Sequence, residues 1–211
     1  MIKVYNYLVD SVGENCYSIV NDNNEALIVD PGDQADQLIE WIHSNGWHPQ
    51  AVILTHAHMD HIGALDMIRE QYQIEAYLHN TEKDFIIDPV LNISRALHDH
   101  DVVQKPVEQY WDSMGVKTVG SFTFEIRHVP GHSPGSVIYV FHKDEIVIAG
   151  DTLFQGSIGR TDFPGGSHQQ LMDAIDSQIL TLPDNFKVYP GHGPSTSIGI
   201  ERANNPFLIE D

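Results

Sequence analysis

Cysteine, basic residues and long apolar runs are all scarce in this sequence of 211 residues. A single cysteine, Cys16, excludes an internal disulfide framework. Lysine and arginine total 11 against 30 aspartates and glutamates, which gives a formal net charge of −19. Such a charge repels nucleic-acid phosphates and anionic membranes, so we predict neither as a partner. No run approaches the ~20 apolar residues of a membrane span, and residues 1–10 lack a signal-peptide core, so we expect a cytoplasmic protein.

Histidine is abundant by contrast, with 13 residues against 11 lysines and arginines. Hydrophobic residues make up 41% of the chain and charged residues 19%, which is typical of a folded globular protein. The length favours one domain over residues 1–211. An excess of imidazoles in a folded chain is a reason to look for metal-ligand spacing.

Short strand patterns and amphipathic helix patterns alternate in two blocks, 1–80 and 115–200. The predicted strands are 2–9, 15–20, 25–29, 51–54 and 75–78 in the first block and 116–119, 122–128, 136–141, 145–149 and 187–189 in the second. The predicted helices run from Asp33 to near Gly46, over 60–72, after a capping box of Ser167 and Gln170, and over 196–204. Residues 88–112 have weak periodicity and predict a loop with one helical turn, which we expect to border the substrate pocket.

Four potential metal ligands follow the strand pattern 51–54: His56, His58, Asp60 and His61. In an extended segment, positions i and i+2 project to the same side, so His56 and His58 can chelate one ion. Asp60 and His61 stand where the next helix begins, and a reversal there would aim them at a second ion. Each residue alone is typical of a polar loop, and Asp60 of a helix N-cap, but the four together after a buried strand favour a metal site.

Three further residues, His132, Asp151 and His192, each follow a strand pattern on a loop, where functional groups are commonly placed. Each alone is typical of a surface turn or cap. Seven ligands exceed the three protein ligands of a single catalytic zinc, so we predict two divalent ions. Nitrogen and oxygen ligands without thiolate suit zinc, iron or manganese, and we expect zinc. Asp151 stands apart from the two histidine sets and is the candidate bridging carboxylate.

The segment Thr55–His61 resembles the T-H-x-H-x-D-H motif of the metallo-β-lactamase superfamily, and the later ligands follow in matching order. The resemblance covers nearly the whole chain. It implies an α/β fold, a four-layer αββα sandwich of two face-to-face sheets with helices outside and the site at one edge. It also implies a ligand set in which one ion is held by His56, His58 and His132, the other by Asp60, His61 and His192, with Asp151 bridging.

Within the superfamily the chain resembles a short bacterial branch of the glyoxalase II group, the hydroxyacylglutathione hydrolases. Asp60 beside His61, aspartate rather than cysteine at 151, and the stretches 159–166 and 190–194 carry this resemblance. It implies hydrolysis of a small-molecule thioester such as S-D-lactoylglutathione by a metal-bound hydroxide, with Asp60 orienting or deprotonating the nucleophile.

Two alternatives within the same fold stay open. One is a persulfide dioxygenase with one iron held by His56, His132 and Asp151, and the other is a lactonase or another ester hydrolase. Full-length glyoxalase II enzymes carry a C-terminal helical extension that contacts glutathione. The chain stops 19 residues after His192, so we expect no such extension here. The pattern predicts no oligomeric state.

Three other features call for an interpretation, and two of them leave an alternative open. Arg160, in a glycine-rich loop, is a candidate substrate-binding residue, and the alternative is an ion pair with Asp162 that braces the loop. The run His98–Asp101 is typical of a solvated polar loop, and the alternative is binding of a stray metal ion. Cys16 lies in a strand pattern, which indicates a buried, inert thiol.

Overall fold

A computed structural model describes residues 1–9 and 13–209, so residues 10–12 and 210–211 of the predicted single domain lie outside the described residues. The chain divides into two compact units. The first comprises Met1–Asp112 and Thr118–Phe122, and the second comprises Ser113–Lys117 and Thr123–Asp211. Each unit is built largely around its own six-stranded sheet.

The sheet of the first unit has its strands in chain order. They are β1 (Ile2–Val9), β2 (Glu14–Asn21), β3 (Glu25–Val29), β4 (His48–Ile53), β5 (Glu75–His79) and β6 (Gln109–Trp111). The first three strands pair antiparallel, and β3 to β6 pair parallel. Because parallel strands end at one edge, the residues after β3 and β4 meet there.

Helices α1 (Ala35–Ser44), α2 (Met59–Ile62) and α3 (Leu65–Tyr72) form the parallel crossovers. The single helix predicted over 60–72 is wrong, because the chain breaks it at Gly63-Ala64. A Cβ on Gly63 would lie 2.1 Å from the Gly32 carbonyl oxygen, so the two backbones touch. There the Ala64 N–H donates to the Pro31 carbonyl at 2.9 Å instead of continuing the helix.

The second sheet has the order β14-β13-β10-β9-β8-β7. Its strands are β7 (Gly115–Val119), β8 (Phe122–His128), β9 (Val137–Phe141), β10 (Ile146–Gly150), β13 (Lys187–Pro190) and β14 (Thr196–Ser197). Strands β8 and β10 are each antiparallel to β9, and β10 is parallel to β13. The ends of β8, β10 and β13 therefore lie at one edge, and the loops that follow carry the three later ligand candidates.

The remaining elements of the second unit are a hairpin and two helices. The hairpin of β11 (Leu153–Phe154) and β12 (Ser157–Ile158) was not predicted, since two-residue strands leave no pattern. The hydroxyl of Ser167 caps α5 (His168–Ala174) by accepting from the Gln170 N–H, as predicted. A π-helical turn (Ile175–Ile179) continues α5, and α6 (Ile198–Asn204) follows.

Residues 88–112 contain the predicted helical turn, α4 (Ser94–Leu97), but also strand β6, which was missed. Its three residues gain their hydrogen-bonding partner from β5, far away in sequence. No helix within residues 1–9 and 13–209 has both the length and the apolarity needed to cross a bilayer. Two mixed sheets with helices confirm the predicted α/β class.

Candidate metal centre

The first ligand set gathers on the segment that leaves β4. His56 Nε2 and His58 Nδ1 lie 3.1 Å apart, and His61 Nε2 lies 3.9 Å from Asp60 Oδ2. The rings of His56 and His61 are 4.1 Å apart between centroids. Donors that share one tetrahedral ion at about 2.0–2.2 Å are separated by about 3.3–3.6 Å. The distances of 3.1 and 3.9 Å lie just below and just above this spacing, so each pair needs a shift of a few tenths of an ångström to hold an ion. The three histidines are buried and Asp60 is half-buried.

A buried carboxylate, Asp30, orients two of these imidazoles. Its Oδ1 accepts from the Thr55 N–H at 2.7 Å, and its Oδ2 accepts from the Thr55 hydroxyl at 2.6 Å and from His61 Nδ1 at 3.0 Å. Because the Thr55 hydroxyl donates to Asp30, it accepts from His56 Nδ1 at 3.1 Å. This network assigns the proton to Nδ1 in His56 and His61 and leaves Nε2 as the coordinating nitrogen.

In the ligand segment, residues 55–61, hydrogen bonds hold the main chain at every second residue from 55 to 59. The N–H of Thr55 donates to Asp30, that of Ala57 to Oε2 of Glu82 at 3.1 Å, and that of Met59 to the Asn92 carbonyl at 3.0 Å. Glu82 is fully buried. The odd positions are thus anchored through the backbone, while the even positions 56, 58 and 60 present their side chains.

The second ligand set lies in the second unit, at the shared edge of β8, β10 and β13. Asp151 Oδ2 lies 3.5 Å from His132 Nε2 and 3.6 Å from His192 Nε2. One carboxylate oxygen therefore stands between two imidazole nitrogens at the spacing of donors that share an ion. His132 is buried, and the Asp151 and His192 side chains are 10% and 30% exposed. The structure brings these three residues together, and the union of the two sets in one centre stays a prediction.

Arg160 positions His132 through its backbone. His132 Nδ1 donates to the Arg160 carbonyl at 2.7 Å, which leaves Nε2 as the coordinating nitrogen. The Arg160 guanidinium forms a two-point ion pair with Asp162, at 2.7 Å in both bonds, and lies 4.1 Å from the Phe163 ring centroid. This hydrogen bonding lowers the pKa of Asp162 to about 2. The bracing interpretation is confirmed, and substrate binding by Arg160 stays a prediction.

Glycine at 159 is required by a close approach to Asp151. A Cβ there would lie 1.9 Å from the Asp151 carbonyl oxygen and 3.3 Å from the Cβ of His132. Only a residue without a side chain lets the two chains pass so closely. The glycine-rich stretch that carried the family resemblance therefore supports the second ligand set sterically.

A pocket of about 140 Å³ lies beside Asp60 in the first unit. Asp33 and residues 100–104 also line it, together with His98. The segment 98–104 thus borders a pocket shared with a ligand candidate, and the assignment of this pocket to substrate stays a prediction.

Asp30, Glu82 and Asn92 were not predicted from the sequence. Asp30 follows a buried strand and precedes Pro31-Gly32, and this strand-end position is the one signal that marks it. Glu82 and Asn92 act on backbone groups and leave no motif.

Clusters of imidazole and carboxylate at the strand ends of mixed sheets define a metalloprotein of the α/β class. The chain belongs to the metallo-beta-lactamase superfamily, whose family model matches residues 9–192. The resemblance inferred from Thr55–His61 is therefore confirmed.

Two curated relatives match over almost the full length. A protein of Bacillus subtilis strain 168, named as the probable metallo-hydrolase YqgX, is 43% identical over 200 residues, which cover 95% of this chain and 94% of the relative. The hydroxyacylglutathione hydrolase GloC of Haemophilus influenzae is 33% identical over 201 residues, 95% of each chain. These relatives support the expectation of a metallo-hydrolase.

Solved structures confirm the fold. A structure described as the BLEG-1 B3 metallo-beta-lactamase has a TM-score of 0.96 and 43% identity, covering 99% of this chain and 100% of that one. A structure of TTHA1623 described as a di-iron-bound form has a TM-score of 0.86 and 34% identity, covering 97% of this chain and 100% of that one.

Proposed function

We propose that this chain is a cytoplasmic, dinuclear metal-dependent thioesterase that hydrolyses small-molecule thioesters of the S-D-lactoylglutathione class. The observation that carries the proposal is the prior orientation of the donors. Hydrogen bonds assign the proton of His56, His61 and His132 to Nδ1, so each presents Nε2 for coordination. The name of the relative GloC supports the choice of substrate class.

The proposed ligand assignment divides the seven residues between two ions. One ion would be held by His56, His58 and His132 and the other by Asp60, His61 and His192, and Asp151 would be the ligand that both share. Two divalent ions carry +4 and the two aspartates reduce this to +2, so the centre attracts an electron-rich carbonyl. We propose zinc, with iron as the alternative that the di-iron form of a similar structure supports.

Bound divalent ions supply a water molecule of lowered pKa and polarisation of the substrate carbonyl. The chain supplies orientation. Asp30 holds His61 and Thr55, and the Arg160 carbonyl holds His132, so the imidazoles need no rearrangement when substrate arrives. Asp60 lines the open pocket, where its carboxylate can accept a proton from the attacking water. The leaving thiolate requires little protonation, since thiols have a pKa of about 8.5.

Hydrolysis of S-D-lactoylglutathione by the metal-loaded protein tests the proposal. We expect turnover that His58→Ala abolishes and that His43→Ala, a change at an exposed histidine on α1, leaves unchanged. Absence of turnover in a metal-loaded protein, or full turnover in His58→Ala, would overturn it.

A second candidate is β-lactam hydrolysis, which the similarity to BLEG-1 favours. Hydrolysis of a β-lactam would use the same metal ligands and would differ in the substrate whose carbonyl is attacked. A chromogenic cephalosporin assayed beside the thioester separates the two activities. The dioxygenase and lactonase alternatives are tested by persulfide-dependent oxygen uptake and by lactone hydrolysis with the same variants.

A further inference from the structure

A second group of metal-ligating side chains lies in the first unit, outside the two ligand sets. His98, Asp99 and His100 bring their donor atoms within 4.8 Å of one another. The two imidazole rings are 4.3 Å apart between centroids and nearly perpendicular. Both Nδ1 atoms approach the same Asp99 Oδ1, at 2.9 Å for His98 and 2.6 Å for His100. Two imidazoles and a carboxylate thus converge on one point, at hydrogen-bond distances that side-chain rotation must widen to the ~3.3–3.6 Å between donors that share an ion.

The cluster is carried on an anchored backbone. On the N-terminal side, the His98 N–H donates to the Ser94 carbonyl at 2.8 Å. On the C-terminal side, the Val102 N–H donates to the Ser94 hydroxyl at 2.9 Å, and the Val102 carbonyl accepts from the Asn92 side-chain amide at 2.8 Å. Asn92 and Ser94 are fully buried. A cation bound by the cluster would therefore have little backbone entropy to overcome.

The side chains are exposed enough to adjust to an ion. Asp99 is 87% exposed and His100 is 67% exposed, so both can change rotamer, while His98 is 22% exposed. The neighbouring Asp101 is held by Arg95, with bonds of 3.2 and 2.5 Å. The protein thus offers three ligands and leaves a fourth position to water.

We propose that His98, Asp99 and His100 bind a further divalent transition-metal ion at the rim of the Asp60 pocket. Imidazole with carboxylate suits Zn²⁺, Cu²⁺ and Ni²⁺ better than Mg²⁺ or Ca²⁺. The net charge of −19 attracts cations in general. Because two of its three ligands are exposed, this site binds more weakly than the buried sets, and its ion is taken up last as the metal concentration rises.

His98 and His100 line the same pocket as Asp60. An ion on the cluster narrows this pocket of about 140 Å³, so excess metal inhibits the enzyme. This consequence, unlike the binding itself, rests on the proposed function.

Zinc stoichiometry tests the binding. The full chain is dialysed against a graded series of free Zn²⁺ concentrations, and bound zinc is measured by elemental analysis for the wild type, His100→Asn and the control His43→Asn. We expect the wild type and the control to bind one zinc more than His100→Asn at the upper end of the series, or to bind it at least tenfold more tightly. Equal stoichiometry and affinity in all three proteins would overturn the site.

The inhibition is tested separately, by thioester hydrolysis at rising free Zn²⁺. We expect the wild type to lose activity over the concentrations at which the last zinc binds, and His100→Asn to lose none there. Loss of that zinc in the variant with unchanged inhibition would overturn the obstruction. If the thioesterase activity itself is absent, the dialysis result still decides the binding.

Discussion

Replacement of Asp30 by asparagine should weaken both the fold and metal binding. The carboxylate accepts three hydrogen bonds, two from Thr55 and one from His61, and all three partners are donors. An amide keeps one acceptor oxygen and turns an N–H₂ group towards the other donors. With the amide oxygen in the place of Oδ2, one hydrogen bond to a charged group is lost and the other two lose their charged acceptor, so Asp30→Asn should lower the unfolding free energy by at least about 1.5–3 kcal/mol.

Metal affinity should fall with it, by about 10–100-fold, because His61 loses the anionic partner that raises the basicity of its coordinating nitrogen. Thr55→Val removes only the hydroxyl between Asp30 and His56, and should cost about 1.5–3 kcal/mol. Asp22→Asn is the matched control, since its ion pair with the N-terminus is exposed and worth at most about 1 kcal/mol.

Two assays decide the matter: denaturant unfolding of the metal-free proteins and competitive titration of metal affinity. If Asp30→Asn unfolds and binds metal like Asp22→Asn, the buried network does not orient the ligands.

Three further predictions concern other parts of the chain. Gly159→Ala places a methyl group 1.9 Å from the Asp151 carbonyl oxygen, so it should lower the unfolding free energy by about 1–3 kcal/mol and the metal affinity at least tenfold. Wild-type behaviour in thermal unfolding and metal titration would contradict this prediction. Burial, followed by nearby carboxylates, raises the pKa of the Cys16 thiol well above its usual value, so Ellman's reagent should react with it only after denaturation, and rapid native labelling would refute this. The pKa of Asp162 is depressed from 3.8 to about 2, so its pairing with Arg160 stabilises the folded loop above about pH 4 and is lost as the pH falls towards 2. Acid unfolding of Asp162→Asn against the wild type should thus show a difference at pH 5 that vanishes near pH 2, and a constant difference would count against the pairing.

Much of the fold could be predicted because local patterns agree with the final packing. In β8, Phe122, Phe124 and Ile126 alternate and all are buried. The predictions failed where a residue distant in sequence determines the local structure. The helix breaks at Gly63 because Gly32 touches it, and β6 exists because β5 offers it hydrogen bonds. Neither partner is close in sequence.

The candidate ligands could be predicted because four of them stand together in six residues and the others follow strand patterns. The residues that position these ligands could not be predicted. Glu82 and Asn92 accept hydrogen bonds from main-chain N–H groups, and the Arg160 carbonyl oxygen accepts a hydrogen bond from His132. A backbone contact places no demand on residue type that a single sequence reveals.

In the proposed centre, Asp151 joins the two metal ions. Electron paramagnetic resonance of the Mn²⁺-loaded protein tests this bridge, since two ions bridged by one carboxylate are magnetically coupled and any ion at the pocket rim is not. We expect a coupled pair in each chain and loss of the coupling in Asp151→Asn. Only uncoupled Mn²⁺ at saturation, or coupling that survives in Asp151→Asn, would contradict it.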